Sequence, residues 1–126
     1  AAQVASRRKA EAQARSQELK ATAEKDKLEL EREAAAAAAV ELEALRVQLA
    51  AQREELLLAE RRKRDAELGE ALDDEERSRI FAKYEKSTKM LEGYLDSEKN
   101  SQESELKARL QAAKDKRAAR AQERAK

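Results

Sequence analysis

Cysteine, histidine, proline and tryptophan are absent from this chain, and glycine occurs twice, as Gly69 and Gly93. Without cysteine there is no disulfide framework and no thiol chemistry, and the redox compartment stays open. Without histidine the chain lacks the commonest general base and metal ligand. With no proline and so little glycine, almost nothing punctuates a helix. Aromatics are reduced to Phe81, Tyr84 and Tyr94, and Leu, Ile, Val and Phe together supply 20 of 126 residues. That is too little apolar surface for a chain to close a compact core easily by itself. The longest uncharged run, residues 34–40, is far short of the roughly 20 apolar residues of a membrane span. The start Ala1-Ala2-Gln3 shows no apolar signal-peptide region, so a soluble, cytoplasmic setting is expected. A first residue other than Met reads as a segment of a longer polypeptide or a processed one.

What the chain does contain is the alphabet of long exposed helices. Ala, Glu, Leu, Arg and Lys account for 92 of the 126 residues, well above the level that marks a long helix or coiled coil. Disorder usually needs a large net charge, yet 28 basic residues nearly cancel 27 acidic ones to leave +1. The expected fold class is therefore all-α and elongated, built from long helices or a coiled coil.

In the first half, apolar or small residues recur every three or four positions: Leu19, Ala23, Leu30, Ala34, Ala38, Leu42, Leu45, Leu49, Leu56, Ala59 and Ala66. That spacing is one face of a helix. A heptad fits best between Leu42 and Leu56, with Leu42, Leu49 and Leu56 in one core position and Leu45, Gln52 and Ala59 in the other. In the second half the stripe runs Ile80, Tyr84, Leu91, Leu95, Gln102, Leu106 and Ala113, widened by Leu110. Ile80, Leu91, Gln102 and Ala113 are eleven apart, as are Tyr84, Leu95, Leu106 and Arg117. Eleven residues over three turns favours straight or slightly right-handed packing over a left-handed supercoil. The expected pairing seam is Leu30, Ala34, Ala38, Leu42, Leu45, Leu49, Leu56, Ile80, Tyr84, Leu91, Leu95, Leu106 and Leu110. Tyr84 and Tyr94 are expected to pack on or beside it.

Between the halves, Gly69 suits a helix C-terminal cap, and Asp73 with Glu76 has the spacing of a capping box. Arg61-Arg62-Lys63-Arg64 before the gap and Asp73-Asp74-Glu75-Glu76 after it agree in polarity with the helix dipole. One glycine costs a helix only about 1 kcal/mol, so an uninterrupted helix competes with a break. The chain is thus divided into a long helix over 1–68, a kink or turn over 69–75, and a second helix over 76–126. The helices themselves are expected at roughly 3–68 and 73–124, collinear or folded back at Gly69. A weaker irregularity near Gly93, Asp96 and Asn100 is expected to remain helical.

Sites of chemistry are not apparent. No Ser/His/Asp set, phosphate loop or dinucleotide fingerprint occurs, so neither an enzyme nor a cofactor is expected. The acidic quartet lacks the alternating ligand spacing of a calcium loop and is better explained as capping. The basic quartet follows the leucine-rich stretch instead of preceding it, which argues against a basic-zipper arrangement and specific DNA binding. The one charge asymmetry lies in residues 107–126, where Lys107, Arg109, Lys114, Lys116, Arg117, Arg120, Arg124 and Lys126 face only Asp115 and Glu123, a net of +6. Such a stretch would suit an acidic surface such as a microtubule or RNA. Pairs in the order acid-then-base four residues on, including Glu11 with Arg15, Glu60 with Arg64, Glu85 with Lys89, Glu103 with Lys107 and Glu105 with Arg109, could support a single helix. They are too sparse to keep Leu42, Leu45, Leu49, Leu56, Leu57 and Leu58 in water, which favours a partner helix.

In texture the chain resembles the coiled-coil rods of cytoskeletal and ciliary proteins, and the alanine run at 34–39 is similar to the tropomyosin style of seam. That resemblance implies a structural role as scaffold or spacer, cytoskeletal, ciliary or microtubule-associated, with protein partners or self-association through helix pairing. It implies no catalytic or cofactor residue. A charge-driven binding module built on the basic end and a monomeric charged-helix spacer are the competing readings.

Overall fold

The computed structural model describes residues 2–125, and Ala1 and Lys126 lie outside the described residues. The described chain is all-α: helix α1 spans Ala2–Glu70, helix α2 spans Asp74–Ala125, and no strand occurs among the described residues. It divides into two units, Ala1–Ala39 and Val40–Lys126.

The first unit is a single helical stretch of α1. Leu19, Leu28 and Leu30 are exposed there, Leu30 at 66%, while Ala34 and Ala38 are part-buried. Leu30, expected in the pairing seam, is therefore a correction, and Leu19 belongs with it. Helix propensity from Ala, Glu, Lys and Arg accounts for residues 2–30, all exposed, without an apolar stripe being used, whereas Ala34 and Ala38 keep their place on a part-covered face.

The second unit is an antiparallel helical hairpin, made by the rest of α1, a turn at residues 71–73, and α2. The chain breaks where the capping signals predict, and of the two devices expected there the Asp73–Glu76 box operates while the Gly69 cap does not. Gly69 is inside α1, no glycine has a positive φ, and helix α1 continues to Glu70. Gly69 is thus not the helix cap it resembles in the sequence. The stop comes from the other side of the turn, where Asp73 Oδ1 accepts a hydrogen bond from the Glu76 backbone N–H at 2.7 Å. The Glu76 carboxylate reaches back to accept from the Leu72 backbone N–H at 3.0 Å. This is a capping box shifted by one residue on its return arm, and it satisfies two N–H groups that no helical carbonyl serves. Asp74, Glu75 and Glu76 fill the first turn of α2, where the helix dipole favours negative charge. Arg61 to Arg64 lie too far from Glu70 to act on the last turn of α1, which holds no basic residue. The Gly93 region remains helical, as its apolar stripe implies.

The covered face of α1 departs from the heptad. Leu42, Leu45 and Leu49 are part-buried as expected, but the face then proceeds through Arg53, Leu57, Glu60, Arg64 and Leu68, whereas Gln52 and Ala59 are exposed and Leu56 is 46% exposed. Leu56 is a second correction to the seam, and Leu57 takes its place. The covered positions of α1 follow the same eleven-residue spacing as α2: Leu42, Arg53 and Arg64 form one series, Leu49 and Glu60 another, and Leu57 and Leu68 a third. Two paired helices share one supercoil, so α1 adopts the period that α2 carries. On α2 the covered face is Ile80, Tyr84, Leu91, Leu95, Gln102, Leu106 and Leu110, while Ala113 is exposed. Tyr84 and Leu106, 8% and 9% exposed, are the most deeply covered side chains. Tyr94, expected to pack, faces solvent.

These placements predict unequal costs for neighbouring leucines. Leu57→Ala should destabilise the hairpin by about 1–2 kcal/mol, and Leu106→Ala by about 2–3, through lost burial and the cavity left behind. Leu56→Ala should stay within about 0.5 kcal/mol. Urea unfolding followed by circular dichroism distinguishes this seam from the heptad, which would reverse the order of Leu56 and Leu57.

Candidate interaction surfaces

Helix pairing is the chemistry this chain presents, and within the second unit the hairpin uses its own seam for it. Six of the residues expected to form that seam on α2, namely Ile80, Tyr84, Leu91, Leu95, Leu106 and Leu110, are covered together with Leu42, Leu45 and Leu49 of α1. The stretch from Leu42 onward, expected to receive a partner helix, is occupied by α2 of the same chain.

Polar pairs cross the seam along its length. Starting at the turn, the Lys83 ammonium donates to Glu67 at 2.9 Å, and the Ser87 hydroxyl donates to Glu60 at 2.9 Å. Arg53 then pairs with Asp96, Arg46 donates through Nε to Glu103 at 3.0 Å, and Arg109 lies 3.6 Å from Glu41. Each step toward the N-terminal side of α1 is matched by a step toward the C-terminal side of α2, which is the antiparallel register. These cross-helix partners displace most of the same-helix pairs that the spacing offers. Glu103 and Arg109 reach across the seam rather than along α2, and Glu60 binds Ser87 and Lys63 rather than Arg64. Glu11 with Arg15 and Glu85 with Lys89 keep their same-helix pairing.

The group nearest the turn is the most tightly organised. Lys83 Nζ lies 5.1 Å from the centroid of the Tyr84 ring, and the Arg64 guanidinium lies 6.0 Å from that of Phe81. The Lys83 ammonium, helped by the Tyr84 hydroxyl, holds the Glu67 carboxyl below its ordinary range. Glu67 in turn holds Lys83 above its own. Burial, followed by the neighbouring Glu67 carboxylate, pushes the Tyr84 hydroxyl up.

The basic end of α2 is distributed differently from its sequence count. Arg109 is paired with Glu41, and Arg117 also has a partner. Lys107, Lys114, Lys116, Arg120 and Arg124 are exposed. Asp115, one of the two acids in this stretch, accepts from Gln111 at 3.0 Å. Lys126 lies outside the described residues. Among the described residues no cluster of three or more carboxylates is arranged to hold a metal ion, and no helix is long and apolar enough to cross a membrane.

Arg53, Leu57, Glu60, Arg64 and Glu67 are seam residues that the heptad reading passes over. Applying the eleven-residue spacing of α2 forward from Leu42 and Leu49 reaches Arg53, Glu60 and Arg64.

The shifted groups near the turn predict a window of stability. Glu67, with its proton affinity lowered in the folded chain, contributes fully above about pH 4.3, and that contribution fades as pH falls through its lowered folded value. Lys83 and Tyr84, both raised, contribute fully below about pH 10 and lose their contribution as pH rises through their folded values. Thermal melts by circular dichroism should show a plateau near neutrality with losses at both extremes. Glu67→Gln should flatten the acid limb, and an unchanged acid limb would show that Glu67 is not its source. Compared with known proteins, the chain matches no family model, and no curated protein or solved structure proved similar to it.

Proposed function

We propose that the chain is a structural scaffold or spacer, of the kind its texture resembles in cytoskeletal and ciliary assemblies. The observation that supports this reading is the run of cross-helix polar pairs from Glu67 with Lys83 to Glu41 with Arg109, interleaved with covered leucines. An apolar stripe alone tolerates sliding by a turn, whereas charged pairs at successive levels tie each level of α1 to one level of α2. A hairpin registered in this way holds positions along α1 at fixed separations, which is the physical requirement on a spacer.

The test is a distance distribution. Spin labels on the exposed positions Val40→Cys and Glu70→Cys span 30 helical residues, about 45 Å at 1.5 Å per residue. A narrow distribution at that distance, unchanged between low and high salt, is expected. A broad one would remove the basis for a spacer.

A second reading, a charge-driven module, is favoured by the exposed Lys107, Lys114, Lys116, Arg120 and Arg124 at the basic end of α2. Long-range attraction of this kind weakens as salt shortens the screening length to about 8 Å at physiological ionic strength. Binding to microtubules or to RNA should therefore fall steeply with salt and disappear when Lys114, Lys116 and Arg120 are changed to Glu. Binding that persists in high salt, or in the charge-reversed variant, would exclude this module.

A further inference from the structure

We infer that the hairpin seam is exchangeable: the second unit of two copies can straighten through residues 71–73 and pair antiparallel, each α1 meeting the α2 of the other copy. Three observations lead there, and none depends on the spacer reading.

The first is the symmetry of the seam about the turn. Glu67 with Lys83, Glu60 with Ser87, Arg53 with Asp96, Arg46 with Glu103 and Glu41 with Arg109 are all centred on residues 73–75. Two straight helices related by a two-fold axis through that point bring the same residues together. Every cross-seam pair of one hairpin would then recur between the chains, once on each side of the axis. Such an interface is isologous and closes on itself, and exchange of identical elements is a low-cost route to it.

The second observation is Leu72. It is 91% exposed, the most exposed large apolar side chain of the described residues. In a continuous helix it would sit four residues after Leu68 and eight before Ile80, both of which are on the covered face. Straightening would carry Leu72 from water into the gap between the two halves of that stripe.

The third is that the turn contains nothing which forbids a helix. No residue there has a positive φ, and proline is absent from the chain. Gly69 is already helical, and a Cβ added to it would meet nothing within 4 Å. The hairpin is held closed locally by the Asp73 cap and the Glu76 return bond, while the Ala71 N–H bonds the Leu68 carbonyl three residues back at 3.3 Å and the Leu72 N–H goes to the Glu76 side chain in place of a helical carbonyl. Short connections of this kind invite exchange between copies.

Two substitutions move the equilibrium in opposite directions. Asp74→Pro places proline at the first residue of α2, where it is compatible with the hairpin and with the extended backbone that a helix-capping residue typically adopts. In a continuous helix the same proline is in the interior, and it should weaken dimerisation by about a hundredfold or more. Asp73→Ala removes the cap that only the hairpin uses; at about fivefold per chain, with two chains opened per dimer, it should raise the association constant about 25-fold.

The experiment uses the full chain. Copies carrying Arg46→Cys and copies carrying Glu103→Cys are mixed, unfolded and refolded together, then treated with a short bismaleimide. Exchange predicts a covalent heterodimer on a denaturing gel, more of it with Asp73→Ala in both copies and little with Asp74→Pro in both. Sedimentation equilibrium from micromolar to millimolar concentration should show the same order of dimer content, with helicity by circular dichroism held constant. Absence of the heterodimer in all three backgrounds would overturn the inference, as would equal yields in the Asp73→Ala and Asp74→Pro backgrounds. Because the two variants are expected to act in opposite senses, general destabilisation cannot reproduce the predicted pattern.

Discussion

Two helices that lie side by side over many turns share one supercoil, and this constraint governs the arrangement of the second unit. α2 carries its covered residues eleven apart, through Ile80, Leu91 and Gln102 and through Tyr84, Leu95 and Leu106. That spacing corresponds to a nearly straight pair. α1 offers a short heptad of leucines that would suit a left-handed pair instead. The outcome is that α1 conforms to α2, so Leu57 is covered where Leu56 would have been, and Arg53 and Glu60 enter the seam. The polar character of the seam follows directly from this choice of period.

Those polar residues contribute little to stability individually, since exposed ion pairs are each worth about 0–1 kcal/mol. Their effect is on register. Sliding α2 by four residues in either direction would set Arg46 against Lys99 or Lys107 in place of Glu103. Like charges at that level would be destabilising, so the leucines supply attraction and the charges select one alignment. Near the turn, Glu67, Lys83 and Tyr84 combine an ion pair, a cation over a ring and a covered hydroxyl at the point where the helices begin to pair. The Asp73 cap adds a local stop beside them, so that closure of the hairpin is specified both in the turn and in the first level of the seam.

The same symmetry that aligns α1 with α2 makes the alignment indifferent to which copy supplies α2. A hairpin seam and a two-chain seam differ at residues 71–76, where a cap and an exposed Leu72 are exchanged for continuous helix and the carboxylates of Asp73 to Glu76 from both copies approach the two-fold axis. The balance between them is local, set by the Asp73 cap, the backbone of the turn, the burial of Leu72 and the repulsion among the carboxylates of residues 73–76, while the cross-seam pairs farther from the axis are common to both.

Much of this was legible from residue types and spacing. The all-α class follows from composition, because no proline and two glycines leave helix as the cheapest backbone for a chain rich in Ala, Glu, Leu, Arg and Lys. The α2 stripe from Ile80 to Leu110 follows from its period, and the start of α2 from Asp73 and Glu76, because capping is decided within four residues. Gly69 was misleading, since glycine permits a left-handed stop without requiring one. The outward turn of Leu56, the exposure of Leu30 and Tyr94, and the recruitment of Arg53, Glu60 and Glu67 could not be read from α1 alone. They depend on which surface lies opposite, and only the folded pair supplies that surface. Local hydrogen bonding and backbone preference are therefore written in the sequence, whereas the covered face of a helix with several candidate stripes is decided by the period and the charges of its partner.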